Sequence, residues 1–140
     1  MPLIARAAVV ILSAASGLAM LYVGTYQVRA VEHLRCPLLK HGCEAVADAP
    51  FARPFGIPDG FIAAGLYGAL IVLALLDPRI AAIRYGIRAA AILAAAGNAL
   101  GVIDMTRLGS YCFYCLLTTV LAPALVWAAF AETAGGYPAK

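Results

Sequence analysis

The chain has little charge. Of its 140 residues, 12% are Asp, Glu, Lys or Arg and 64% are hydrophobic, whereas soluble domains carry about 25% charged and 45–50% apolar residues. A water-soluble fold cannot hide that much apolar surface, so the composition points to a membrane protein. What charge there is amounts to a dispersed net +3, without the basic stripe that a nucleic-acid partner needs. Carboxylates are missing from the apolar windows; away from the window ends, where Thr25, Gln27, Arg84 and Arg88 lie, the few polar side chains are Ser13, Ser16, Asn98, Thr118 and Thr119. Proton- or ion-coupled transporters usually keep an ionisable group inside the membrane, so this lack argues against a small exporter. Sequence repeats and low-complexity tracts are absent too. The first apolar window lacks a cleavage site, and it is longer than the 7–15 residues of a signal-peptide core. Leu34-Arg35-Cys36 is close to a lipoprotein processing box, but Arg35 stands where a small residue is needed. The window is therefore expected to be a transmembrane helix and not a leader.

Four windows approach the ~20 apolar residues that span a bilayer: Ala7–Val28, Gly60–Leu76, Ile83–Ile103 and Cys112–Phe130. The expected architecture is all-α, an integral membrane four-helix bundle in a single domain over residues 1–140, with a wet loop from Arg29 to Pro58. Gly60, Gly65 and Gly68 would let helices approach closely. Gly97 and Gly101 bracket Asn98 in the third span. Pro123 is tolerated in the fourth span because neighbouring helices can satisfy the freed carbonyl. Tyr22 and Tyr26 are expected as interface anchors. In the loop, apolar Phe51, Phe55 and Ile57 are punctuated by Pro50, Pro54 and Pro58. That pattern predicts short helices and turns folded back over the bundle mouth.

The four cysteines form two pairs. Cys112-Phe113-Tyr114-Cys115 stands where a polar hinge, Asp104 to Ser110, turns into the last apolar stretch. Two thiols three apart on a helix share one face, and a helix N-terminus favours the thiolate. Cys36 and Cys43 lie in the loop, with Gly42 beside the second. Thiol–disulfide exchange proceeds by thiolate attack through a mixed disulfide. A relay therefore needs one pair free to meet a soluble partner, the role suited to Cys36 and Cys43, and one near an electron acceptor, the role suited to Cys112 and Cys115. Cys115 lies one turn deeper, within reach of a lipid-soluble oxidant. Two other readings stand beside the relay: two structural disulfides that tie the loop to the bundle, and a four-cysteine zinc site. The Cys-x6-Cys spacing is wider than the usual zinc knuckle and an oxidising compartment opposes it, so no metal is expected. His33 and His41 flank Cys36 and read as solvated loop residues. Asp59, at the mouth of the second span, reads as a helix cap.

Basic residues do not orient the bundle, since Arg6, Arg79, Arg84, Arg88 and Lys140 on one side balance Arg29, Arg35, Lys40, Arg53 and Arg107 on the other. Disulfides persist outside the cytosol. That places the cysteine side in the periplasm or lumen and both termini in the cytosol, with a bacterial inner membrane as the expected location.

The run from Cys43 to Pro58, with Phe55-Gly56-Ile57-Pro58 leading into an apolar helix that carries Tyr67, resembles the vitamin K epoxide reductase family. So does the order of the cysteines, a wide loop pair first and then Cys-x-x-Cys opening the fourth helix, with Thr118-Thr119 a turn below. The resemblance covers almost the whole chain. It implies a four-helix bundle around a quinone, ubiquinone or menaquinone, capped by the cysteine loop. Carried onto this sequence, Cys115 is the thiol next to the quinone and Cys112 its partner. Cys43 exchanges with Cys112, and Cys36 meets a periplasmic or lumenal thioredoxin-like protein. Phe55, Asp59, Ile62, Leu66, Tyr67 and Thr119 become the quinone contacts. The implied activity is thiol:quinone oxidoreduction in support of disulfide formation, as in bacterial members. Reduction of vitamin K quinone or its epoxide, as in vertebrate members, is the alternative. The partners implied are that separate thiol protein and membrane lipid, since no thioredoxin segment follows the fourth span.

The chain departs from the family pattern at several positions. Asp48 or Ala49 replaces a loop serine, Asp59 an asparagine that binds the head group, Thr119 a quinone-contacting tyrosine, and Ala63 a glycine of the second helix. The disulfide bond formation protein B family also has four helices and two cysteine pairs, but its Cys-x-x-Cys comes first in the chain.

Overall fold

The computed structural model describes residues 3–30, 32–33, 42–52, 56–76 and 80–134. These form four long helices, α1 (Leu3–Gln27), α3 (Asp59–Leu75), α4 (Ala81–Leu108) and α5 (Phe113–Ala134). Between α1 and α3 lie a short helix, α2 (Gly42–Asp48), and a 3₁₀ turn at Pro50–Ala52. No strand occurs among the described residues. The segments 4–27, 81–108 and 113–131 are long and apolar enough to cross a membrane. The 17-residue α3 is shorter, about 26 Å at 1.5 Å per residue. That is at the lower limit for a ~30 Å hydrocarbon core.

Large apolar side chains point outward as well as inward. Ile4, Ile11, Leu18, Val72, Leu93, Val120 and Trp127 are all exposed. A helix that is apolar all round suits a hydrocarbon solvent and not water. Inside, the contacts are made by small residues: Ala74, Ala90, Ala91, Ala94, Ala128 and Ala129 pack with Leu70, Ile87 and Leu125. Each helix packs on two neighbours, α1 on α3 and α5, and α4 on α3 and α5, so the four close a ring. The tightest crossing is between α1 and α3. A Cβ on Gly60 would sit 2.5 Å from the Gly24 nitrogen and 2.6 Å from the Met20 carbonyl, so only glycine permits this approach. Gly65, Gly68, Gly97 and Gly101 have open space where a side chain would go. Gly65 and Gly68 therefore do not make the helix contacts expected of them.

Three local details correct the sequence reading. The helix α4 continues through Asp104 to Leu108, and the turn narrows to Gly109, whose φ of 81° and N–H bond to the Met105 carbonyl close the helix. Asp59 does not cap α3; it is the first helical residue, and Pro58 holds the cap position without a side-chain bond. Tyr26 is buried, not an interface anchor, and its hydroxyl donates to Asp48 Oδ2 at 2.8 Å.

α1 ends in a double bond pattern, Ala30 N–H to the Thr25 carbonyl (2.9 Å) and Arg29 N–H to the Tyr26 carbonyl (3.0 Å), which is a Schellman motif. Its left-handed residue is Arg29, with φ 65°. The Arg29 guanidinium lies over the Tyr26 ring and 3.7 Å from Asp48.

Candidate functional site

Cys112 is the N-cap of α5. Its carbonyl accepts the first helical bond, from Leu116 N–H at 2.9 Å. Its Sγ accepts the N–H of Cys115 at 3.4 Å. Sulfur thus takes the place of the usual capping oxygen, which accepts from the third helical N–H. A thiolate is the better acceptor there, and the helix end favours negative charge. The Cys112 N–H donates in turn to Met105 Sδ at 3.3 Å. Cys112 is buried and Cys115 half-buried, and both are free thiols in this structure.

The helix α2 lies over Cys112. Val46 and Ala47 pack in one apolar cluster with Val23, Tyr26, Met105 and Cys112. At the start of α2, Gly42 rests directly on the Tyr111 carbonyl, where any Cβ would collide. The backbone of Cys43, the next residue, is thereby held beside the turn that carries Cys112. The side chain of Cys43, and all of Cys36 and Phe55, lie outside the described residues. His33 is exposed, with Nδ1 3.7 Å from Glu44, and His41 lies outside the described residues.

One buried amide ties this cap to the bundle. Gln27 Nε2 lies 3.2 Å from the Ala47 carbonyl, 3.3 Å from the Ala52 carbonyl and 2.9 Å from Asp59 Oδ1. Its Oε1 accepts the Gly60 N–H at 3.1 Å. The end of α1, the end of α2, the 3₁₀ turn and the start of α3 therefore meet at a single side chain, and Asp59 is oriented by it.

Below the cap is a cavity of about 250 Å³. Asp59, Ile62, Leu66, Tyr67 and Thr119 line it, and Cys115 reaches it. Cys112 does not line it. The walls are mostly apolar, with Met20, Ala63, Leu93, Ala94 and Met105 among them, and Gly97 and Gly101 form the face of α4. The missing side chains of these two glycines leave room for a ligand instead of for a neighbouring helix. Ile62 and Leu93 also lie on the outer surface, 46% and 61% exposed. The cavity therefore opens sideways between α3 and α4.

At the deep end of the cavity, the Asn98 amide gathers hydroxyls from two helices. Nδ2 donates to Tyr67 Oη at 3.1 Å and to the Ala94 carbonyl at 2.8 Å. Oδ1 accepts from Thr118 Oγ1 at 2.7 Å. The sequence marks Asn98 as the lone amide of its span, but only the fold shows that it faces inward. Thr118 stands out in the sequence only as a polar residue of its span and Gln27 not at all, because their partners come from remote segments. A few well-placed polar groups in an apolar pocket are the usual make-up of a small-molecule site. Here they surround a thiol at a helix N-terminus.

Neither a curated protein nor a solved structure matches the chain. Residues 7–130, which take in the membrane-length helices, the cap and the cysteine motif, match the family described as the vitamin K epoxide reductase family. The chain therefore belongs to the vitamin K epoxide reductase family, and with it to the multi-pass membrane oxidoreductases.

Proposed function

We propose that the protein is a membrane thiol:quinone oxidoreductase serving disulfide formation. A reduced thioredoxin-like partner passes two electrons to the Cys36–Cys43 disulfide. Cys43 then exchanges with Cys112, and the Cys112/Cys115 dithiol reduces a quinone. In the last step two thiols and one quinone become one disulfide and one quinol, so electrons and protons balance without another reactant.

The observation that carries this reading is the division of labour between the two bundle cysteines. Cys115 reaches an apolar cavity, while Cys112 is turned away from it and lies under α2, which carries Cys43. This supports a relay in which Cys112 exchanges with the cap and Cys115 serves the cavity. The apolar walls exclude water from the reacting sulfur, and the side opening suits a ligand with a hydrocarbon tail that stays in the lipid. Asp59, fixed by Gln27, offers a polar contact near the cap. Tyr67 and Thr119 offer contacts at depth. The quinone, ubiquinone or menaquinone, supplies the two-electron acceptor chemistry, and the protein supplies position and exclusion of water.

The test is steady-state quinone reduction by the purified protein with a small dithiol as donor. Wild type turns over and Cys115→Ala does not. Turnover retained in Cys115→Ala rejects the relay.

A further inference from the structure

We infer that Asn98 is a positioning residue that turns the Tyr67 hydroxyl into the hydrogen-bond donor for a carbonyl of the bound quinone. The inference rests on the proposed quinone site and adds to it the group that recognises the ring.

The protons around Asn98 can be counted. Asn98 has two N–H donors, and both are used, on Tyr67 Oη and on the Ala94 carbonyl. Flipping the amide would set its oxygen against the Ala94 carbonyl, so the orientation is fixed. The Thr118 hydroxyl has one proton and lies 2.7 Å from Asn98 Oδ1. The Thr119 hydroxyl has one proton and lies 2.7 Å from the Cys115 carbonyl, against 3.4 Å from Asn98 Oδ1. Both threonine protons are therefore committed to protein acceptors.

Tyr67 differs. Its oxygen accepts from Asn98, so its own proton must point elsewhere, and it has no protein acceptor among the described residues. Tyr67 is only 3% exposed and lines the cavity that Cys115 reaches. A buried donor without a partner is costly. A ring carbonyl in the cavity satisfies it. Asn98 cannot reach the ligand as a donor, because its protons are spent; it acts through Tyr67.

The experiment uses the oxidised full-length protein in detergent without dithiol, so that 1,4-naphthoquinone and ubiquinone-1 bind without being reduced. The carbonyl stretch of the bound quinone is read by infrared difference spectroscopy, beside the quinone KM with dithiol present. In wild type the stretch shifts down from its value in free quinone. Tyr67→Phe and Asn98→Leu each abolish the shift and raise KM up to about tenfold, the worth of one hydrogen bond. The double variant adds nothing further, since one residue acts through the other. Tyr67→Phe keeps the ring and so remains informative if Asn98→Leu does not fold. A wild-type shift that survives in Asn98→Leu or Tyr67→Phe overturns the inference and leaves the quinone site standing. A bound quinone with no shift in wild type does the same. Failure of wild type to bind quinone overturns the site itself.

Discussion

Replacing Gln27 with leucine removes the amide that joins the cap to the bundle while keeping a side chain of similar bulk. Its Nε2 faces three acceptors, of which two protons can serve two at a time, and its Oε1 takes the Gly60 N–H. Ala47, Ala52 and Gly60 are buried, so the variant leaves one backbone N–H and at least one carbonyl without a partner. Each orphaned buried group costs about 1–3 kcal/mol. With some relief from local relaxation, the cap loses about 2–4 kcal/mol relative to the open state. That raises the population of the opened cap by roughly thirty- to several-hundredfold, at a factor of ten per ~1.4 kcal/mol. Cys112 is fully buried beneath this cap, so its alkylation in the fully reduced protein reports the opening. The assay is the alkylation rate of Cys112 by a water-soluble maleimide, read by fragment mass. An increase of roughly thirty- to several-hundredfold is expected in Gln27→Leu. A rate within threefold of wild type would refute the idea that Gln27 holds the cap closed.

Two further predictions follow from glycines. Gly42→Ala pushes a methyl group into the Tyr111 carbonyl, a backbone atom that cannot swing aside, and so lifts α2 from Cys112. Turnover driven by a thioredoxin-like donor should fall at least tenfold, while turnover driven by a small dithiol that reaches Cys112–Cys115 directly does not fall; equal losses with both donors would contradict the docking role. Gly101→Leu meets no atom within 4 Å at its Cβ but projects into the cavity wall. The quinone KM should rise tenfold or more at unchanged thermal stability, and an unchanged KM would show that the cavity is not where quinone binds.

The helices were legible because their signal is collective. A run of some twenty apolar residues between polar breaks can be little else, and the windows fall on α1, α3, α4 and α5 to within a few residues. The helix start at Cys112 was legible because polar residues ahead of an apolar run mark a boundary. The end of α4 was misjudged, since Asp104, Thr106 and Arg107 are polar yet still helical, and only Gly109 with its positive φ stops the chain. Gly65 and Gly68 could not be told from Gly60 by composition. What separates them is whether Met20 and Gly24 of α1 lie opposite, and that depends on the rotation of α3. Asn98 was visible as an isolated amide in apolar surroundings, whereas Gln27, at the end of its helix, did not stand out. Their roles depend on partners twenty or more residues away, which no local pattern encodes. Thr119, at the position of a quinone-contacting tyrosine, brings a hydroxyl and no ring; the phenol at the deep end of the cavity is that of Tyr67 on a different helix, and both residues were named from the sequence.

The most direct test of the account is a single turnover. Fully reduced protein carrying Cys36→Ala and Cys43→Ala, so that the loop pair cannot re-reduce the bundle pair, is mixed anaerobically in detergent with a slight excess of menaquinone or ubiquinone, and quinol formation is followed optically while the remaining thiols of the Cys112–Cys115 fragment are counted by mass. The account predicts one quinol formed for each Cys112–Cys115 pair oxidised, and none in Cys115→Ala. Quinone that stays oxidised while both thiols remain labelled, or quinol that forms without loss of these thiols, would contradict it.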